Sequence, residues 1–192
     1  MKGDLFLDLD HYVAMRKRIL KNDWISLWNA DIEYLLKYTV GAKLAIDLGT
    51  NTGASAIVMA QNADQVITID LFEDTPDRED TLYPVIAKDI IEELSQYDNI
   101  MVIQCDTHDF QFQNFKIDQV DTIFIDADHT YDSVKKDFEH WFPKIKIGGY
   151  ILLHDIDKPE YGVQRFIEKD IKNYPVQLVE SGKAMGIYRK CS

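Results

Sequence analysis

The sequence predicts an α/β fold, in which a mostly parallel, doubly wound sheet of seven strands is closed by an antiparallel C-terminal hairpin. Two observations carry this prediction. After residue 43, short apolar runs alternate with stretches of helical periodicity, a pattern typical of parallel strands joined by crossover helices. The last residues then hold two strand-like runs joined by a turn that contains glycine.

Five apolar runs are the predicted parallel strands: Leu44–Leu48, Val66–Ile69, Ile100–Gln104, Thr122–Ile125 and Tyr150–Leu153. Helices are predicted over 53–62, 79–97, 131–142 and 160–173. The hairpin is expected over Val176–Glu180 and Ala184–Arg189. Gly148 and Gly149 are expected to form the tight turn that leads out of the preceding helix.

Ahead of the sheet, residues 8–40 carry apolar side chains at helical spacing, which predicts two helices with Asn22 and Asp23 as caps between them. The expected organisation is a helical cap over residues 1–40 and a sheet core over 41–192. Because no repeat, low-complexity tract or flexible linker divides the sequence, residues 1–192 are predicted to form a single domain.

Composition narrows the classes of function. The net charge of −12 opposes phosphate backbones and anionic lipid, so neither nucleic acid nor a membrane is an expected partner. Two cysteines give neither a disulfide framework nor a metal-type spacing, which favours a reducing cytoplasm. No signal-peptide region opens the sequence, and no run approaches the ~18 apolar residues that span a bilayer.

The clearest local motif is Asp-Leu-Gly-Thr-Asn-Thr-Gly, which runs from Asp47 to Gly53 between a predicted strand and a predicted helix. Its glycines let a ligand approach the backbone, and the helix beyond offers free N–H groups. Asn51 occupies the middle glycine position of a G-x-G-x-x-G motif, so the loop suits a nicotinamide dinucleotide poorly. The spacing favours a D-x-G-x-x-x-G loop instead.

Two further acids follow the next two strands. Asp70 lies 21 residues after Gly49, in a position to accept hydrogen bonds from ribose hydroxyls. Asp106 follows the third strand, where its carboxylate could reach an adenine amino group at the same edge of the sheet. Asp70 would serve either nucleotide cofactor, so it does not discriminate between them.

The segments Asp47–Gly53, Asp70, Phe124–Tyr131 and Gly148–Asp155 resemble class I S-adenosylmethionine (SAM)-dependent methyltransferases. More narrowly, they resemble the metal-assisted small-molecule O-methyltransferases related to catechol, caffeoyl-CoA and macrocin-type enzymes, over about residues 41–190. The resemblance implies a Rossmann-like fold, with the methionine part of SAM on the glycine loop, the ribose on Asp70 and the adenine on Asp106. The implied donor-binding residues are Asp47, Gly49, Thr50, Asn51, Gly53, Asp70, Leu71, Asp106 and Thr107.

Acids and histidines follow the fourth and fifth strands. Asp126 ends the fourth strand, and His154 and Asp155 end the fifth. Adjacent strand ends converge on the ligand crevice of a doubly wound sheet, and the carboxylates gathered there would attract a cation such as Mg²⁺. His154 stands where the resemblance places a carboxylate; ligating a borderline metal, hydrogen-bonding substrate and packing are its three readings.

Methyl transfer from a sulfonium needs an acceptor oxygen that carries enough negative charge to attack. A cation that lowers the hydroxyl pKa and a base that removes the proton can both provide it. His129, three residues after Asp126, is the candidate base, and Asp126 acts with it in the catalytic pair. Asp128 is expected to cap the helix that follows.

The leading hypothesis is therefore SAM-dependent transfer of a methyl group to a hydroxyl of a small molecule, such as a sugar or a phenol. Two alternatives stay open from the sequence: an NAD-dependent oxidoreductase on the same sheet, and a cofactor-binding module without turnover. The sequence does not name the acceptor. Assembly into a homo-oligomer is compatible with it but not specified by it.

Overall fold

The computed structural model describes residue 27 and residues 29–73, 87–107 and 119–192. Its strands are β1 Ala45–Leu48, β2 Val66–Asp70, β3 Ile100–Gln104, β4 Val120–Ile125, β5 Ile145–Leu153, β6 Val176–Ser181 and β7 Gly186–Lys190. Its α-helices are α1 Asn29–Thr39, α2 Ala54–Ala60, α3 Ala87–Leu94, α4 Tyr131–Trp141 and α5 Gly162–Lys169. Short 3-10 turns cover Phe142–Lys144 and Ile171–Asn173.

The strands form one sheet in the order β3-β2-β1-β4-β5-β7-β6. β1 to β5 are parallel to their neighbours, whereas β7 pairs antiparallel with β5 and β6 antiparallel with β7. The predicted parallel sheet with its closing hairpin is confirmed. Leu48 pairs with Ile125, and Ile125 pairs with Leu153, so β1, β4 and β5 end level with one another. The strand order reverses between β1 and β4, which is where open α/β sheets bind ligands.

The central strands are apolar because both faces of the sheet are covered. Every residue of β1 and β4 is buried, as expected of parallel strands between two helical layers. One apolar cluster joins the sheet to α1, α2 and α3, with Leu35, Met59 and Leu94 at its centre. The other joins it to α4 and α5 through Phe138 and Phe166.

Hydrogen bonds fix the position of α1 against the sheet. Its residues Ile32 and Leu35 are buried, and the Thr122 hydroxyl of β4 donates to the Tyr38 carbonyl at 2.6 Å. At the same end, the Tyr38 hydroxyl donates to Glu180 of β6 at 2.6 Å. The earlier predicted helix, with its Asn22 and Asp23 caps, lies outside the described residues.

The predicted role of Gly148 and Gly149 is wrong. α4 ends at Trp141 and a 3-10 turn with Pro143 follows, so the two glycines lie inside β5 and not at the helix exit. Gly148 has φ +86°, and a Cβ atom on Gly149 would lie 2.9 Å from the carbonyl oxygen of Asp121. The register of β4 against β5 shifts at this place. The glycines therefore shape an irregularity between two strands.

Two predicted helices differ in length. The helix predicted over 160–173 ends at Lys169 and continues as a separate 3-10 turn, and the helix predicted over 79–97 is described from Ala87 to Leu94. Across the described stretches of the chain, no helix combines the length and the apolar character that crossing a membrane requires.

Candidate active site

The glycine loop after β1 is folded tightly against the end of β4. Gly49 has φ +95°, and a Cβ atom there would lie 2.2 Å from the carbonyl oxygen of Asp126. Gly53 has φ +81°, and its Cβ would lie 2.9 Å from the side chain of Leu94. A side chain at either position would meet Asp126 or Leu94, so the loop packs in this way only with glycine at both positions. Their positive φ angles still require glycine.

Asn51 is in the left-handed region with φ +45°. Asparagine is one of the few residues other than glycine that adopts this conformation readily, which explains how it replaces glycine in the loop. Its backbone N–H donates to Oδ2 of Asp70 at 3.0 Å. The Phe72 N–H donates to Oδ1 of Asp70 at 2.8 Å. The carboxylate of Asp70 is thus oriented at the end of β2, next to Leu71, whose side chain is 52% exposed.

Asp47 and Thr50 point into the protein. Oγ1 of Thr50 lies 2.6 Å from Oγ1 of Thr68, and the Thr68 hydroxyl donates to Oδ2 of Asp47 at 2.7 Å. Oδ1 of Asp47 is buried and has no hydrogen bond to any residue that the structure describes. Burial raises the pKa of Asp47 to about 7, although the hydrogen bond from Thr68 acts in the opposite direction. A positive charge close to this loop would favour the ionised carboxylate.

The end of β3 lies beside the end of β2. The Cys105 N–H donates to the carbonyl oxygen of Asp70 at 2.9 Å, so Asp106 follows at the edge of the sheet that carries Asp70. Asp106 is exposed and Thr107 is buried. The structure therefore places the acids that follow β2 and β3 on one rim, as predicted.

The acids and histidines after β4 and β5 form one cluster. Nε2 of His129 lies 2.9 Å from Oδ2 of Asp155 and 3.3 Å from Oδ1 of Asp126. Nδ1 of His154 lies 3.1 Å from Oδ1 of Asp126 and 3.6 Å from Oδ1 of Asp155. All four residues that the sequence places at these strand ends thus meet.

The cluster stabilises positive charge. Burial lowers the pKa of His129, but the hydrogen bonds and charges of Asp126 and Asp155 outweigh it and raise the pKa to about 9. Burial also lowers the pKa of His154, but the charges and hydrogen bonds of the carboxylates around it, Asp126 first, outweigh burial and raise the pKa far above its ordinary value. Burial raises the pKa of Asp155, yet the two imidazoles bring it below its ordinary value. The carboxylates therefore need either protonated imidazoles or another cation beside them.

Asp155 itself has φ +54°. Aspartate, like asparagine, adopts this left-handed conformation more readily than most other residues. The turn that follows is held by the Lys158 N–H, which donates to the carbonyl oxygen of Asp155 at 3.2 Å. At this turn the carboxylate of Asp155 lies beside His129.

The predicted helix cap at Asp128 is wrong by two residues. Thr130 is the N-cap of α4, and its Oγ1 accepts from the Ser133 N–H at 3.3 Å. Asp128 supports this cap by accepting from the Thr130 N–H at 3.1 Å and from the Ser133 hydroxyl at 2.6 Å. Burial raises the pKa of Asp128, but these bonds hold it below its ordinary value. Asp128 is therefore a poorer proton acceptor than His129.

Sequence reasoning missed Asp31, which reaches the cluster from α1. Asp31 is 1% exposed, and its Oδ2 lies 3.4 Å from Nε2 of His154. A signal was present: Asp31 stands four residues after Leu27 and four before Leu35, both buried, and so on the apolar stripe of the helix. An acid on such a stripe calls for a buried partner.

The cluster has the donor set of a metal site. Single ligand atoms from Asp126, His154 and Asp155 lie within 4.8 Å of one another. Two carboxylates and one imidazole fit a divalent cation; the oxygens suit Mg²⁺, and the imidazole adds a preference for Mn²⁺, Co²⁺, Fe²⁺ or Zn²⁺. His154 thus fits the reading of a borderline metal ligand.

A cleft of about 640 Å³ opens beside His129. The loop after β5 contributes Tyr161, whose ring lies 4.6 Å from the imidazole of His129 at an interplanar angle of 31°. The guanidinium of Arg165 lies over the ring of Tyr131 at 4.3 Å. The full lining comprises Asp128, His129, Thr130, Tyr131, Pro159, Glu160, Tyr161, Gly162 and Arg165.

Comparison with known families decides the class of this site. A family model described as "Methyltransferase domain" matches residues 46–156, which is more than half of the chain and includes the glycine loop and the whole cluster after β4 and β5. The chain belongs to this methyltransferase family. The enzyme class predicted from the sequence is confirmed, and an NAD-dependent oxidoreductase is disfavoured. The individual roles of the site residues stay predictions.

Solved structures share the fold of this methyltransferase domain. A putative caffeoyl-CoA O-methyltransferase from Staphylococcus aureus matches with a TM-score of 0.67 and 19% identity, covering 93% of this chain and 91% of that chain. The O-methyltransferase TomG from Streptomyces achromogenes, solved with SAM, matches with a TM-score of 0.68 and 15% identity over 100% and 92%. An rRNA methylase from Streptococcus thermophilus matches with a TM-score of 0.60 and 10% identity over 88% and 100%. At sequence identities this low, the similarity shows that the fold is shared and nothing more.

A curated relative matches only a short stretch of the chain. The uncharacterized protein y4gI of Sinorhizobium fredii is 42% identical over 43 residues, which is 22% of this chain and 5% of that protein. The matched segment is so small a part of that relative that it says nothing about the activity of this chain.

Proposed function

We propose that this methyltransferase transfers the methyl group of SAM to a hydroxyl of a small molecule, with His129 as the base. The observation that carries the proposal is the position of His129. Its Nε2 lies 2.9 Å from Asp155, while the same residue lines the cleft beside Tyr161. An imidazole held between carboxylates and open to a cleft is suited to proton transfer.

The donor is proposed to bind along the rim formed by the ends of β1, β2 and β3. SAM supplies a sulfonium, whose methyl carbon is the electrophile. Asp70 is oriented by two backbone N–H donors and keeps free lone pairs for ribose hydroxyls. Asp47, with an unbonded buried oxygen, lies under the glycine loop that would hold the positively charged methionine part. Exposed Leu71, together with Asp106 and Thr107, would meet the adenine end.

The acceptor is proposed to lie in the cleft. As its oxygen attacks, the new C–O bond forms, the bond from sulfur to the methyl carbon breaks, and S-adenosylhomocysteine (SAH) leaves. The hydroxyl proton passes to the imidazole of His129 and then to solvent. Asp126 and Asp155 stabilise the imidazolium that forms, because both carboxylates lie within 3.3 Å of Nε2.

Asp126, Asp155 and His154 are proposed to hold a divalent cation, for which Mg²⁺ was the ion expected from the sequence. Such a cation supplies positive charge that lowers the pKa of a nearby hydroxyl. The fit rests on the three ligand atoms that lie within 4.8 Å of one another. When the charge of Asp126 and Asp155 is engaged in this way, His129 is less strongly protonated and better able to act as a base.

A small acceptor and a cytoplasmic setting complete the proposal. The cleft volume of about 640 Å³ is in the range of small-molecule sites. A net charge of −12 argues against rRNA or DNA as the acceptor, even though the fold is shared with an rRNA methylase. A sequence with two cysteines and no disulfide framework suits a reducing compartment.

The proposal is tested by measuring SAH formation from SAM against a panel of sugars and phenols. We expect acceptor-dependent SAH formation that is lost in the His129→Gln variant while SAH binding is retained. O-methylation would be contradicted if the protein bound SAM and methylated another kind of nucleophile but none of the hydroxyl acceptors. Stabilisation by NAD(H) in place of SAM would contradict the donor.

A further inference from the structure

We propose that Asp31 is a positioning residue, which holds His154 so that Nδ1 of its imidazole faces the cation site of Asp126 and Asp155. The inference rests on the proposed function, since it concerns the same cation site. It adds a residue from the N-terminal helix α1 to a site that is otherwise built at the ends of β4 and β5.

The first step is the burial of Asp31. Asp31 is buried, and Ile32 and Leu35 of the same helix belong to the apolar core. A carboxylate removed from water is stable only beside a positive or hydrogen-bond-donating group. Nε2 of His154, at 3.4 Å from Oδ2 of Asp31, offers such a group from β5.

The second step is the orientation of the imidazole. The ring of His154 is almost completely buried and has a carboxylate on each side: Asp31 faces Nε2, and Asp126 faces Nδ1 at 3.1 Å. The ring of Phe124 lies edge-on at a centroid distance of 5.7 Å and confines it further. Rotating the imidazole by half a turn about the Cβ–Cγ bond would turn ring carbons, in place of the two nitrogens, toward Asp31 and the cation site.

The third step concerns the proton on the ring. A cation needs the lone pair of Nδ1, so the proton of the neutral imidazole must be on Nε2, where it faces Asp31. Carboxylates that accept the second N–H of a metal-binding histidine fix its tautomer and strengthen the ligand. Oδ2 of Asp31 is on the Nε2 side of the ring at 3.4 Å, where it would accept this N–H once a cation occupies Nδ1.

The position of α1 is itself fixed, which makes Asp31 a dependable partner. The Thr122 hydroxyl of β4 donates to the Tyr38 carbonyl, and Lys37 contacts Glu180 of β6. These contacts tie the C-terminal end of α1 to β4 and β6, and Asp31 lies in the first turn of the same helix.

The test compares Asp31→Asn with Glu33→Gln, which removes the same charge from an exposed position of the same helix. Mn²⁺ affinity is measured by electron paramagnetic resonance, and SAH affinity by calorimetry. We expect Asp31→Asn to bind Mn²⁺ about 10- to 100-fold more weakly with SAH affinity unchanged, and Glu33→Gln to match the wild type. Equal Mn²⁺ affinity in a folded Asp31→Asn variant would overturn the role of Asp31 and leave the proposed function intact.

A second readout needs no variant. The ¹⁵N resonances of His154 in the wild type loaded with Zn²⁺ show which nitrogen carries the proton. Protonated Nε2 with a metal-bound Nδ1 supports the inference, and the reverse tautomer contradicts it. If the wild type binds SAH but neither Mn²⁺ nor Zn²⁺, the cation site fails and the role of Asp31 fails with it, whereas methyl transfer by His129 survives.

Discussion

Nε2 of His129 lies 2.9 Å from Oδ2 of Asp155, although the two residues follow different strands of the sheet. The contact exists because β4 and β5 are parallel neighbours whose last residues, Ile125 and Leu153, are paired. It joins the proposed base to a carboxylate that can balance the proton it receives.

Replacing His129 removes the only imidazole that lines the described part of the cleft. Glutamine keeps a polar side chain but accepts no proton, so we expect His129→Gln to lower kcat by about 10²- to 10⁴-fold, with SAH affinity within about twofold of the wild type. His140→Gln, on α4 and away from the strand ends, is the control. Steady-state kinetics and calorimetry measure both effects, and an unchanged kcat in His129→Gln would remove it as the base.

The imidazole in the donor set predicts the metal preference. We expect Mn²⁺ or Co²⁺ to bind more tightly than Mg²⁺, and EDTA to lower activity until either ion is restored. His154→Asp supplies a third carboxylate to the site, so the preference should move toward Mg²⁺. Competition titrations measure the order of affinities. Full activity in EDTA would count against any role for a cation.

Buried Asp47 predicts a pH dependence of stability. Its pKa is raised to about 7, so the folded state holds a proton that the unfolded state loses above about pH 4. The stabilisation of the folded state by this proton is fully present below about pH 4, decreases as the pH rises and is lost above about pH 7. Its full size is roughly 4 kcal/mol, at about 1.36 kcal/mol per unit of pKa shift. Asp47→Asn lacks this titration.

Urea unfolding of the wild type and Asp47→Asn from pH 4 to 8 measures the difference. The stability of the wild type should fall relative to the variant across that range. Parallel pH profiles would show that Asp47 titrates normally in the folded protein.

Gly49 and Gly41 provide a matched pair for the packing of the glycine loop. Both have positive φ angles, +95° and +73°, but a Cβ on Gly49 would lie 2.2 Å from the Asp126 carbonyl oxygen, whereas one on Gly41 meets nothing within 4 Å. Gly41→Ala should therefore cost only the backbone penalty of about 1–2 kcal/mol. Gly49→Ala should cost about 2 kcal/mol or more beyond that, because the strand ends must separate. Equal losses in chemical unfolding would contradict the close approach.

The sequence predicts the sheet well because parallel strands that are buried on both faces consist mostly of continuous apolar residues. β1 and β4 are examples. Acids placed directly after such strands, such as Asp70 and Asp126, are equally visible, since topology brings strand ends together. Pairing within the cluster is not visible. The contact between His154 and Asp126 depends on the register of β4 against β5. The contact between His154 and Asp31 depends on how α1 packs against the sheet.

Local backbone chemistry accounts for the errors. Gly148 and Gly149 look like a helix exit, but Pro143 ends the helix earlier and moves them into a strand. Asp128 is a suitable cap by composition, yet the chain turns once more and Thr130 takes the position. In both cases a nearby residue decides where the helix begins or ends, which periodicity alone does not resolve.

Calorimetric titration of SAH into the wild type and into Asp70→Ala tests the central claim most directly, because it asks whether the methyl donor binds at the rim where Asp70 is oriented by Asn51 and Phe72. We predict saturable binding to the wild type and at least about tenfold weaker binding to Asp70→Ala, since hydrogen bonds to a carboxylate are lost. No heat with SAH or SAM, or equal affinity for both proteins, would contradict the account.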